Sequence, residues 1–163
     1  MTGTQNLTHV DESGAARMVD VSAKQTTARQ AVAAGWLRTT AKVIELVRRD
    51  GLPKGDALAV ARIAGIMGAK RTPDLVPLCH PIALHGVVVD LVLHPDSVEM
   101  TATVRTADRT GVEMEALTAV ATAGLALIDM VKAVDPAASL DSIRVLHKTG
   151  GKTGDWHRPA DRP

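Results

Sequence analysis

From Ala116 to Ile128 the chain reads "ALTAVATAGLALI", without one charged residue. Set within "GVEMEALTAVATAGLALIDMVKAVD" (111–135) and closed by Pro136, this run predicts a long helix with most of its circumference buried. The charge-free stretch is too short for a membrane span, so the rest of the chain has to enclose it. With two Trp and neither Phe nor Tyr, the core has to come from Val, Leu, Ile, Ala and Met. The many small residues then let elements approach closely. A length of 163 residues suits one domain with a sizeable core.

Around that helix the hydrophobic pattern predicts a strand over 29–39, where Val32, Ala34 and Trp36 alternate despite a helix-favouring alanine content. "TTAKVIELVRRDG" (39–51) reads as a helix stopped by Gly51 and Pro53, and "GDALAVARIAGIMGAKR" (55–71) as a second, ended by Pro73. The β-branched runs 84–95 and 97–107, separated by Pro95-Asp96, form a hairpin signal. A last strand is expected over 140–151. Residues 18–22 are a short strand or extended lead-in, residues 1–17 a mobile arm, 18–150 the single folded domain, and 151–163 a flexible tail. The order strand, helices, strand, strand, helix, strand is the split β-α-β pattern of an α+β, ferredoxin-like fold, with helices packed on one face of an antiparallel sheet. The other sheet face then needs a cover, and an oligomer is expected.

The 19 basic and 18 acidic residues leave a net charge of +1, so no global field draws the chain to nucleic acid or membrane. The near absence of aromatic rings also removes the platforms on which single-stranded bases stack. A single cysteine, Cys79, fits a reducing compartment. The polar N-terminus lacks the layout of a signal peptide, and a cytoplasmic location is expected.

Several clusters carry possible chemistry. "GGKTGD" contains Gly-Lys-Thr, but the glycine a phosphate loop needs five residues before Gly151 is Leu146, and no helix follows. What remains is a glycine turn with Lys148 and Lys152, either closing over an anion or solvated. Lys54 precedes a helix start, where a cation opposes the helix dipole; it either shares an anion with the helix N-terminus or points into water. Asp129 and Lys132, three apart, share a helix face. They form a surface ion pair or, with the partial burial that the apolar flanks imply, a proton-transfer pair of tunable pKa. Glu113 and Glu115 in the first turn satisfy the dipole or grip the amidine-like edge of a guanine or pterin. In "PDLVPLCHPIAL" (73–84), Cys79-His80 sits between Pro77 and Pro81. Zinc is disfavoured because no second cysteine exists and His85 and His94 point apart. The prolines instead suggest a rigid corner that aims His80 at an anion or heterocycle.

The segments "LTHVDESGAARMVDVSAK", "KGDALAVARIAGIMGAKRTPDLVPLCHPIAL", "TGVEMEALTAVATAGLALIDMVKAV" and "HKTGGKTGD" resemble the C-protein family of molybdenum cofactor biosynthesis, the cyclic pyranopterin monophosphate synthases. The resemblance covers residues 7–156; Thr149 and Thr153 stand where serines are common. It implies rearrangement of a cyclised dihydroguanosine triphosphate with loss of pyrophosphate. It also implies a homohexamer built as a trimer of dimers, with active sites at the dimer interface. By the same resemblance Asp129, Lys132 and Lys54 are catalytic, and Leu78, Cys79, His80, Met114 and Glu115 bind substrate, with Arg29, Glu113 and Lys148 lining the pocket. No cofactor and no metal-ligating residue is expected; a redox cofactor is not required, because the rearrangement is internal. A nucleotide-sensing module of the same fold is the rival reading; it leaves the Asp129–Lys132 pair without a purpose.

Overall fold

The computed structural model describes residues 9–11, 13–152 and 154–160. The first eight residues of the expected arm, Thr153 of the glycine turn and the last three residues of the tail lie outside these. The elements are β1 (Thr27–Arg38), α1 (Ala41–Arg48), α2 (Ala57–Lys70), a single turn α3 (Thr72–Leu75), β2 (Gly86–Leu93), β3 (Ser97–Asp108), α4 (Glu113–Val131), β4 (Ser139–Thr149) and β5 (Trp156–His157). The strands form one antiparallel sheet in the order β2-β3-β1-β4-β5. Its first four strands have the ferredoxin-like arrangement, so the expected α+β class holds.

The helix starts follow from the residues that occupy them. The Thr40 hydroxyl accepts the Val43 N–H at 3.3 Å, and the Asp56 carboxylate accepts the Ala59 N–H at 2.9 Å. Arg71 ends α2, and Pro73 sits in the first turn of α3. The alanine-rich β1 is a strand because α4 lies across it. Ala31, Ala33 and Leu37 are fully buried beneath the helix, and a Cβ on Gly35 would sit 2.9 Å from Val120 of α4. The contact between α2 and α4 is equally tight: Ala61, Gly65, Gly68 and Ala69 pack with Ala119, Thr122 and Ala123. A core without large aromatic rings is thus filled by close approach of backbones.

By length and composition α4 is apolar enough to cross a membrane, but 56% of its apolar window is buried within the protein. It is the central core helix, with Ala116, Ala119, Val120, Ala123, Leu127 and Val131 fully enclosed. The opposite sheet face is open, leaving Val88 and Val92 half-exposed.

Three details add to the sequence reading. Residues 18–22 are not in a strand, which leaves the lead-in alternative, and they run into a turn at Ser22. Residues 9–11 and 13–17 hold local structure, with a Val10–Ala16 bridge and the Asp11 carboxylate accepting from Ser13 and Ala15. Within the expected tail, Trp156 and His157 pair with Lys148 and His147 as β5.

Candidate active site

Two groups of the expected site residues assemble at the two ends of α4. At its N-terminal end lies a cavity of about 440 Å³, lined by Leu78, Cys79, His80, Glu113, Met114 and Glu115. The turn after α3 supplies Leu78–His80, where the Cys79 N–H donates to the Val76 carbonyl at 3.0 Å. The His80 imidazole contacts the Val19 carbonyl through Nε2 at 2.6 Å. A carbonyl only accepts, so Nε2 carries the proton.

Glu115 is almost fully buried in the first turn of α4. Burial pushes its carboxyl pKa up, and the neighbouring Glu113 adds to the rise. Burial likewise raises the Cys79 thiol, with Glu115 contributing. Cys79 is therefore poorly suited to act as a thiolate nucleophile.

Glu113 takes a 2.7 Å ion pair from Lys148 of β4, which borders a smaller cleft of about 120 Å³. Arg29 borders the same cleft. Its guanidinium donates to the Asp108 and Arg109 carbonyls at 3.0 and 3.2 Å, bracing the loop before α4. The glycine turn after Lys148 fits this packing. Gly150 and Gly151 have φ of 83° and 82°, and a Cβ on Gly151 would lie 2.5 Å from the Arg29 guanidinium.

At the other end of α4, Lys54 from the α1–α2 loop reaches Asp129 at 2.6 Å, and Lys132, the C-cap residue, reaches it at 2.9 Å. The three expected catalytic residues therefore form one hydrogen-bonded cluster. Lys54 sits beside the start of α2 and pairs with Asp129. The expectation that Asp129 is partly buried is corrected here. Its side chain is 54% exposed, because the neighbouring apolar residues Leu127, Met130 and Val131 turn the other sides of the helix to the core. Its pKa falls to about 2, chiefly through the Lys132 hydrogen bond and then the Lys54 one. At neutral pH the Asp129 carboxylate is therefore ionised, and it is open to solvent.

The two groups do not meet within one chain. Glu115 and Asp129 are fourteen residues apart on one continuous helix, a rise of about 21 Å at 1.5 Å per residue. The sphere equal in volume to the larger cavity is only about 9 Å across.

The cavity also has walls to which the sequence reading assigned no role. His9, Val19, Val21 and Lys24 close it from the N-terminal side, and Thr110 and Gly111 from the loop before α4; Lys24 and Arg109 also border the smaller cleft. Apart from Arg109, the signal available for them was their place inside the segments "LTHVDESGAARMVDVSAK" and "TGVEME", which carry the resemblance.

Comparison with known proteins gives a consistent answer. The MoaC family model matches residues 18–151. A Streptomyces coelicolor protein named cyclic pyranopterin monophosphate synthase is 66% identical over 93% of this chain and 89% of its own length. A Mycobacterium tuberculosis protein named cyclic pyranopterin monophosphate synthase 2 is 64% identical over 93% and 91%, respectively. A Nocardioides synthase of the same name is 63% identical over 95% and 97%. With a family match over most of the chain and identities this high along nearly its whole length, the chain belongs to the MoaC family.

Proposed function

We propose that this chain is a cyclic pyranopterin monophosphate synthase of molybdenum cofactor biosynthesis. It acts as a phosphorus–oxygen lyase that rearranges cyclised dihydroguanosine triphosphate and releases pyrophosphate. Similarity to relatives of that name supports the reaction. The observation that carries the assignment to residues is the Lys54–Asp129–Lys132 cluster, drawn from two separate parts of the chain into hydrogen-bond distance.

In this reading the Glu113–Glu115 end grips the guanine-derived ring, since carboxylates accept from its N–H edge, and His80 and Lys148 face its polar substituents. The Asp129 end performs the proton transfers. An aspartate with a pKa of about 2 is a weak base. Substrate phosphates compete with Asp129 for Lys54, and losing one cation raises the carboxyl pKa toward its usual range. Substrate binding thereby activates the base, and Lys132 remains to share the proton. The lysines also stabilise the charge that develops on the departing pyrophosphate.

Both ends serve one substrate when two chains pair antiparallel about a two-fold axis, the common symmetry of a homodimer. Val60, Ile63 and Met67 form an exposed apolar stripe on α2, with Leu125 exposed on the adjacent α4. With Val88 and Val92 at the β2 edge of the open sheet face this offers two apolar surfaces, and a trimer of such dimers uses both.

Incubating the purified protein with the cyclised triphosphate tests the reading. One pyrophosphate is expected per pterin product. Asp129→Asn is expected to fold and bind but not turn over. Binding without conversion by the unaltered protein would leave a nucleotide-sensing module in its place.

A further inference from the structure

Residue alternation along β4 sends Lys148 toward the candidate active site and its neighbour His147 to the other face of the sheet. On that other face, β4 and β5 build a second cavity of about 420 Å³. Arg144 and His147 of β4 line it together with His157 of β5 and the following Arg158; Leu146 and Pro159 supply apolar wall. No carboxylate lines it among the described residues.

Three observations give this cavity a chemical character. His147 and His157 are direct cross-strand partners, and their rings stack with centroids 5.3 Å apart at 27°. The His147 Nδ1 atom is buried without a hydrogen-bond partner; a buried polar atom left in this state calls for an explanation or a ligand. The guanidiniums are held in place by backbone. Arg158 Nε donates to the Val145 carbonyl at 2.7 Å, and Arg144 Nη1 donates to the Ser142 carbonyl at 2.6 Å. Each guanidinium carries five N–H donors, so most of its edge remains available.

We propose that this cavity is a binding site for a phosphate-class oxyanion, separate from the candidate active site. Two guanidiniums and two imidazoles lining one space suit tetrahedral phosphate oxygens. The same chemistry would hold free phosphate, pyrophosphate or the phosphate arm of a nucleotide. The assignment stands on β4 and β5 alone and does not depend on the reaction proposed above.

Imidazole nitrogen NMR of the full chain, titrated with inorganic phosphate, pyrophosphate and a nucleoside triphosphate in turn, tests it. Saturable shifts of the His147 and His157 signals are expected with at least one of the three. The probe that binds tightest identifies whether the source is a free anion or a nucleotide. Arg144→Gln is expected to weaken that binding by about tenfold, as loss of a charge-assisted hydrogen bond would. Lys148→Ala, which alters only the opposite face, is expected to leave it unchanged. His157→Gln serves as the second variant if Arg144→Gln fails to fold, and is expected to weaken binding through the His147 signal. Absent shifts, shifts reproduced by sodium chloride at equal ionic strength, or shifts lost in a folded Lys148→Ala would each overturn the proposal.

Discussion

Glu115→Ala and Asp129→Ala, each inactive alone, are expected to recover about one quarter of wild-type turnover when co-assembled in equal amounts. The reasoning starts from α4. The two residues stand about 21 Å apart along a rod that runs unbroken from Glu113 to Val131. A substrate that fills a cavity about 9 Å across reaches both only if they come from different chains. In a two-fold pair, each pocket then takes the Glu115 end from one protomer and the Asp129 end from the other. Random assembly makes about half of the pairs mixed. In every mixed pair one pocket receives both substitutions and the other receives neither. Half of the pockets in half of the pairs gives the quarter.

The assay is pyrophosphate release by co-expressed, doubly tagged protein, with native mass spectrometry verifying the mixed oligomers. Purification through both tags enriches mixed assemblies and raises the yield above a quarter. Verified mixed oligomers no more active than either parent would refute the shared pocket. Full activity in either single variant would remove the premise that both ends serve the reaction.

The remaining predictions concern stability and the thiol. Burial raises the Glu115 pKa above the ordinary 4.5, so the folded chain keeps a proton over a window where the unfolded chain has lost it. Stability therefore falls as pH rises through that window. Glu115→Gln is expected to melt higher than wild type at neutral pH, the gap closing toward pH 4.5; an equal or lower melting temperature at neutral pH contradicts the burial argument. Cys79→Ser is expected to retain most of its turnover, because the thiol is held protonated and the corner's geometry is preserved; a folded but inactive protein would restore the nucleophile. Gly68→Ala places a Cβ 2.8 Å from the Thr122 Cβ and nearer still to its hydroxyl, at the α2–α4 contact. A loss of about 1–3 kcal/mol in denaturant unfolding is expected, and an unchanged midpoint would show that the helices can part without cost.

The sequence was most legible where burial writes a long pattern. The charge-free run 116–128 announces α4, and the β-branched runs on either side of Pro95-Asp96 announce β2 and β3. β1 was ambiguous locally because alanine favours helix; only the close approach of α4 at Gly35 explains why small residues occupy a central strand. β5 left no pattern, since two residues joined by pairing to His147 and Lys148 carry no period of their own. At the site, the Asp129–Lys132 spacing was visible, but its exposure was misjudged: apolar neighbours in sequence lie on other sides of a helix. Lys24 and His9 could not be placed from spacing, because the wall they form depends on how the N-terminal segment folds back over the His80 corner.

The burial that makes α4 legible also explains where chemistry can occur on it. Ala116, Ala119, Val120, Ala123 and Leu127 have no exposure, so the middle of the helix has no room for a substrate. Charged side chains stand only at its two ends, where the sheet and α2 stop covering it. The N-terminal end offers a carboxylate that burial keeps ready to hold a proton. The C-terminal end offers one that two lysines keep stripped of it. A rearrangement that needs both a place to hold a ring and a place to move protons has these two environments available, but on opposite ends of a rigid rod. In the dimer proposed above, antiparallel pairing would set the two ends side by side twice over, with the exposed stripe of Val60, Ile63 and Met67 as the apolar surface on which the helix layers pair.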